Sequence, residues 1–232
     1  TGHCRKRGHV LMRRVVVTGM AGVSALGNDG ETISEAFRAG RTGIKRMEEW
    51  DRYVDLNTRL AAPVIGFSVD DRYSRKQLRS MGPVSRMAVY ASEIALQDAG
   101  LLEDSTLSSG IMGVAYGSSF GSTEPVIAFT ELMTEGTMTN LTATSYIKMM
   151  SHTAAVNIGV FFGLKGRVIP TSSACTSGSQ GIGFSYESIK YGHQDLMVAG
   201  GAEELCPTEA AVFDTLYATS TRNHEPNLTP RP

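Results

Sequence analysis

The chain has 232 residues, 41% of them hydrophobic and 19% charged, with 22 Lys and Arg against 23 Asp and Glu for a formal net charge of −1. This balance excludes a disordered chain and a polycationic nucleic-acid binder, because there is ample apolar material to offset chain entropy and no net charge to attract phosphates. The length fits one large domain or two small ones, and glycine is enriched, with 25 residues spread along the chain, about 11% against an average of roughly 7%.

Residues 1–11 are basic (Arg5, Lys6, Arg7) but lack the apolar run of a secretory signal. They read as a tag or disordered extension, with Met12 as the native start and 12–232 as the folded unit. The three cysteines, Cys4, Cys175 and Cys206, show no C-x-x-C spacing. Neither a disulfide framework nor a zinc site is favoured, so a reducing, cytoplasmic setting with no metal and no cofactor is expected. No stretch reaches the roughly 18 apolar residues of a membrane span.

Residues 14–19 (RVVVTG) form a short β-branched run ended by glycine, which predicts a strand buried on both faces. Residues 28–39 (NDGETISEAFRA) predict a capped helix closed by Gly40, and 60–65 a possible edge strand. A basic stretch at 74–80 (SRKQLRS) precedes an amphipathic helix over 84–99, stopped by Gly100. Residues 111–116 (IMGVAY) predict a second core strand that runs into GSSFGS at 117–122. Helices are expected over 125–135 and 144–162, then a strand over 167–171 leading into SSACTSGSQGIG.

The helix predicted over 175–191 has no charge before Glu187 and is built of Ser, Thr, Gly, Ala and Gln. So small-sided a helix is stable only when packed closely, which predicts a place between two layers. A fourth strand, 195–199, ends in Gly200-Gly201. Alternation of strands and helices indicates an α/β fold with a mostly parallel sheet. Residues 220–232 (STRNHEPNLTPRP) read as a Pro-rich loop with nothing after it, so the core is expected to lack a closing element.

Cys175 stands at a strand-to-helix junction, where unpaired N–H groups and the helix dipole favour an anion. A thiol there can be activated as a nucleophile, and its own N–H can donate to the oxyanion that forms after attack. The alternative is an inert cysteine packed as a small hydrophobe.

The segments TSSACTSGSQGIG (171–183), DLMVAGGAEE (195–204) and LYATSTRN (216–223) together resemble the β-ketoacyl-acyl-carrier-protein synthases of the elongating types I and II, most like type II. The opening RRVVVTGMAGVSALGN (13–28) and the SRK (74–76) and LKG (164–166) stretches fit the same pattern. The resemblance implies the N-terminal half of a thiolase-like fold, layered α-β-α-β-α in the full protein, with Cys175 as the acyl-accepting nucleophile on a buried helix. It implies a decarboxylating Claisen condensation with malonyl-acyl-carrier-protein in fatty acid synthesis, by a homodimer. The partners implied are acyl- and malonyl-loaded carrier proteins, with no nucleic acid and no membrane insertion.

By the same resemblance Phe120 takes the position of a side chain gating the acyl pocket, its alternative being a core aromatic at a strand end. Met149 and Met150 fall on the segment that lines that pocket and crosses to the partner subunit. Arg75, Lys76 and Arg79 fall where basic residues meet the acidic carrier protein, their alternative being a solvated face; Ser80 replaces a further base there. Glu203 and Glu204 are expected to do structural work.

Family members are nearly twice as long, and the histidines and lysine that assist condensation belong to the second half. His3, His9, His152, His193 and His224 match neither catalytic motif, so the chain alone is expected not to decarboxylate malonyl carrier protein. A non-catalytic chain-length-factor-like subunit is the competing reading; such relatives have lost the nucleophile, whereas Cys175 is present.

Overall fold

The computed structural model describes residues 12–229, so the extension expected over 1–11 lies outside the described residues. In chain order the elements are α1 (Gly30–Arg38), β1 (Lys45–Arg46), β2 (Leu60–Ala61), α2 (Arg75–Leu78), α3 (Pro83–Asp98), β3 (Met112–Gly117), α4 (Val126–Glu135), α5 (Ala143–Met149), α6 (Thr153–Phe161), β4 (Val168–Pro170), α7 (Ser177–Lys190), β5 (Leu196–Gly201) and α8 (Pro207–Thr215). Their ends follow local chemistry. Asp29 accepts from the Thr32 N–H to start α1, Ser74 and Gln77 form a reciprocal capping box on α2, and Gly100 at φ +68° ends α3.

Strands β4, β3 and β5 form a parallel sheet in that order, with Val114 opposite both Val168 and Val198. All six residues of β3 are buried, as a central parallel strand requires. Its period-two alternation sorts large from small side chains. Val114 and Tyr116 point into a cluster with Val84, Ala88 and Val89 of α3 and Ala154, Ala155 and Ile158 of α6. Full burial of each Val or Ile there contributes roughly 1.5–3 kcal/mol. The buried Asn157 is satisfied, accepting from Ser80 Oγ at 2.8 Å and donating to Ser85 Oγ at 3.0 Å, which ties α6 to the α2–α3 junction.

The small residues of β3 face α7. A Cβ on Gly117 would stand 2.7 Å from Ser177 Cβ, and one on Gly181 would stand 2.7 Å from the Ala115 oxygen and 2.8 Å from the Gly200 oxygen. The buried face of α7 is Ser177, Gly181, Ser185 and Ser188, so its small residues serve a nearly backbone-to-backbone contact with the sheet. The layers are α3 and α6, then the sheet, then α7. The expectation that α7 is covered on both sides is met on the sheet side; on the other, Ile182, Phe184 and Tyr186 are exposed.

Three expectations change. Residues 14–19 pair with no strand among the described residues, and Val16 and Val17 are 63% and 76% exposed. The segment is held at its ends, by Arg13 N–H donating to the Lys190 oxygen and Met20 N–H to Asp98 Oδ2. The helix expected over 144–162 is two helices, because Met150 adopts an extended backbone (φ −79°, ψ 130°). The edge strand expected over 60–65 shortens to β2, antiparallel to β1.

Candidate active site

The carboxyl ends of β3, β4 and β5 are where an open parallel sheet offers loops and helix starts to a ligand. The connection from β4 to α7 is tightly wound. Thr171 N–H donates to the Tyr116 oxygen, Thr171 Oγ1 to the Ser177 oxygen at 2.9 Å, Ser173 N–H to Ser177 Oγ at 2.8 Å, and Ser177 Oγ to the Ala174 oxygen at 2.7 Å. Within this knot Ala174 takes a left-handed conformation, φ +46°. A residue with a Cβ is held there only when its surroundings over-determine it. The next residue is Cys175, a free and exposed thiol. Helix α7 begins at Ser177, with Thr176 as its cap, so Cys175 lies in the turn before the helix rather than in its first turn. It still faces the positive end of a 14-residue helix.

The β3 exit loop meets the same edge. Gly121, at φ +96°, is wedged so that a Cβ would lie 2.2 Å from the Met149 oxygen, and Ser122 N–H donates to the Lys148 oxygen at 3.2 Å. Ser151 Oγ, just past Met150, donates to Ser172 Oγ at 3.0 Å. These contacts set the Phe120 loop against Lys148–Met150 and tie Ser151 to Ser172 of the connection that carries Cys175. Phe120 is 47% exposed, and both methionines are partly buried. Arg75, Lys76 and Arg79 stand apart on α2 and its cap, all exposed and in no ion pair among the described residues. His193 lies past the far end of α7, and His224 is exposed in the final loop.

The structural work expected of the two glutamates after β5 takes a specific form. Glu203 accepts from Ser118 Oγ at 2.9 Å, from Ser119 N–H at 2.6 Å and from Ser119 Oγ. Glu204 accepts from Thr123 N–H at 2.6 Å and from Thr123 Oγ1. The signal available was their place at a strand's carboxyl end, opposite a Ser-rich loop. Glu209 lies close by, its carboxyl pushed up to about 7 by burial and by the charges of Glu203 and Glu204. Both glutamates also border a cleft of about 870 Å³ lined by Trp50, Tyr53, Phe67, Arg86 and Met87. Cys175 does not line that cleft.

Residues 12–230 match the family model described as Beta-ketoacyl synthase, N-terminal domain. The chain is 36% identical over 221 residues to 3-oxoacyl-[acyl-carrier-protein] synthase 2 of Vibrio cholerae, covering 95% of this chain and 53% of that protein. It thus spans about half the length of the curated relatives it matches. A crystal structure of a β-ketoacyl synthase from Burkholderia phymatum superposes with a TM-score of 0.92 at 58% identity, over 95% of this chain and 54% of that one. A ketosynthase solved in complex with its type II PKS acyl-carrier protein superposes with a TM-score of 0.72 at 20% identity, over 88% of this chain and 55% of that one; this likeness shows the fold alone. The fold is the N-terminal half of a thiolase-like ketosynthase.

Proposed function

The chain belongs to the β-ketoacyl synthase family, matching its N-terminal domain, and from this premise we propose that Cys175 is the nucleophile of a 3-oxoacyl-carrier-protein synthase that lengthens fatty acyl chains. The observation that carries the reading is the exposed thiol held by the strained Ala174 turn at the start of α7. Sulfur attacks the carbonyl of an acyl-carrier thioester, the bond to the carrier's sulfur breaks, and the carrier leaves as a thiol with the proton that Cys175 gives up. The Cys175 N–H donates to the transient oxyanion. Condensation follows when malonyl-acyl-carrier-protein loses CO2 and its carbanion attacks the acyl carbonyl; the bond to the Cys175 sulfur breaks, leaving 3-oxoacyl-carrier-protein and the free thiolate.

Phe120, Met149 and Met150 border the path of the acyl chain in this reading, and Arg75, Lys76 and Arg79 receive the acidic carrier. The exposed positions of all three bases support such a role, since rim charges steer encounter. The enzyme acts as a cytoplasmic homodimer. Free thiols at Cys175 and Cys206 suit a reducing compartment, and exposed Ile127, Met133 and Tyr146 on α4 and α5 offer apolar surface to a partner subunit.

The test is intact-mass spectrometry of the chain after incubation with an acyl-carrier thioester. One acyl adduct is expected on the wild type and on Cys206→Ala, and none on Cys175→Ala. An adduct that persists in Cys175→Ala, or its absence from the wild type, overturns the assignment. In a radiolabelled malonyl assay this chain is expected to form no condensation product; turnover comparable to that of a full-length relative refutes that part.

A further inference from the structure

The loop that carries Phe120 is held less by its own strand than by the pair of carboxylates after β5. Five hydrogen bonds run from it to Glu203 and Glu204. They bracket Phe120: Ser118 and Ser119 lie before it and Thr123 after it. Gly121 N–H donates to Ser118 Oγ at 2.9 Å and closes a turn with Phe120 at its tip. Ser118 is 1% exposed and Thr123 partly buried, whereas Ser119 is exposed and Phe120 is 47% exposed, so the latch runs from a buried root to an open tip. On the far side the loop meets the Met149 oxygen and, through Ser122 Oγ, accepts from the Val84 N–H of α3.

Two adjacent carboxylates aimed into one loop repel each other, and their charges add to burial in raising the nearby Glu209 carboxyl. A cheaper neutral contact would suffice merely to cover a strand end. We propose that Glu203 and Glu204 are positioning residues for specificity: they latch the 118–123 loop and thereby set how long an acyl chain Cys175 accepts. The claim deepens the acyl-transfer reading and rests on it for its chain-length part.

Glu203→Gln keeps the size but loses the charge and one acceptor oxygen. In hydrogen–deuterium exchange of the full chain, peptides covering 117–124 are expected to exchange about tenfold faster, with β3 and α3 unchanged. The ratio of Cys175 acylation rates with dodecanoyl and butyryl thioesters is expected to rise about fivefold, because the loosened Phe120 no longer confines the long chain. Glu203→Asp, which retains the charge but shortens the reach, falls between. Unchanged exchange at 117–124, or faster exchange with an unchanged rate ratio, overturns the proposal. Should Glu203→Gln fail to fold, Ser119→Ala removes one side-chain bond to the same carboxylate and is read the same way. If the wild type takes no acyl group, the acyl-transfer reading and the chain-length claim both fall, while loop exchange alone still decides the latch.

Discussion

Gly181 rests so closely on Ala115 that a methyl group in place of its hydrogen would stand 2.7 Å from the Ala115 carbonyl oxygen. Two residues further along the same helix, on its other face, a Cβ on Gly183 would meet nothing within 4 Å. Gly181→Ala is expected to destabilise the chain by about 2 kcal/mol through overpacking. Gly183→Ala is expected to stabilise it by about 0.5–1 kcal/mol through helix propensity. Urea denaturation of the two variants checks the opposite signs; equal effects would contradict the close seat of α7.

Ala174, just before Cys175, adopts a left-handed conformation at φ +46°. A β-branched side chain is poorly tolerated there, so Ala174→Val is expected to cost about 2 kcal/mol. Ala174→Gly is expected to change stability by less than about 1 kcal/mol, relief of strain offsetting added chain entropy. Thermal melts rank the three proteins, and a valine variant as stable as the wild type would show that the turn stores no strain.

Arg75, Lys76 and Arg79 are exposed. Reversing all three to Glu is expected to weaken capture of a labelled acyl carrier protein about tenfold at low ionic strength and to flatten its dependence on salt. Fluorescence anisotropy across a salt series measures both. Binding and salt slope equal to those of the wild type would leave the patch a solvated face.

The Glu209 carboxyl, pushed up to about 7 from its usual 4.5, makes stability depend on pH. A carboxyl that holds its proton more tightly when folded contributes fully below its unfolded pKa. That contribution is lost as pH rises through the folded value. The full shift corresponds to about 3 kcal/mol, and solvent screening of a half-buried group reduces it to about 1 kcal/mol. Relative to Glu209→Gln, the wild type is therefore expected to lose about 1 kcal/mol between pH 4.5 and pH 8. Denaturation at both pH values gives the difference, and a gap that does not vary with pH rules the effect out.

Much of the core was legible because its residues carry local signals. The run through Met112–Gly117 reads as a central strand, Asp29 announces α1, and Gly100 stops α3 where its φ turns positive. What escaped was tertiary. Val15, Val16 and Val17 have strand propensity, but propensity does not supply a ladder partner. Nothing at Met149–Met150 breaks a helix by itself; the break is made where Gly121 presses on the Met149 oxygen and Ser151 reaches Ser172. At the candidate site the cysteine and its helix were readable. The left-handed Ala174 was not, because no glycine marks it, and the grip of Glu203 on Ser118 and Ser119 joins residues 84 and 85 positions apart.

The small-residue seat of α7 also works as a register lock. Rotate the helix by one residue, about 100°, and Ile182 would replace Gly181 over the Ala115 oxygen, where even a methyl group finds no room. Slippage is blocked in the same way wherever Ser177, Ser185 and Ser188 face the strands. The height of Cys175 above the sheet is therefore set jointly by the backbones beneath α7 and by the wound turn through Ala174 that leads into it.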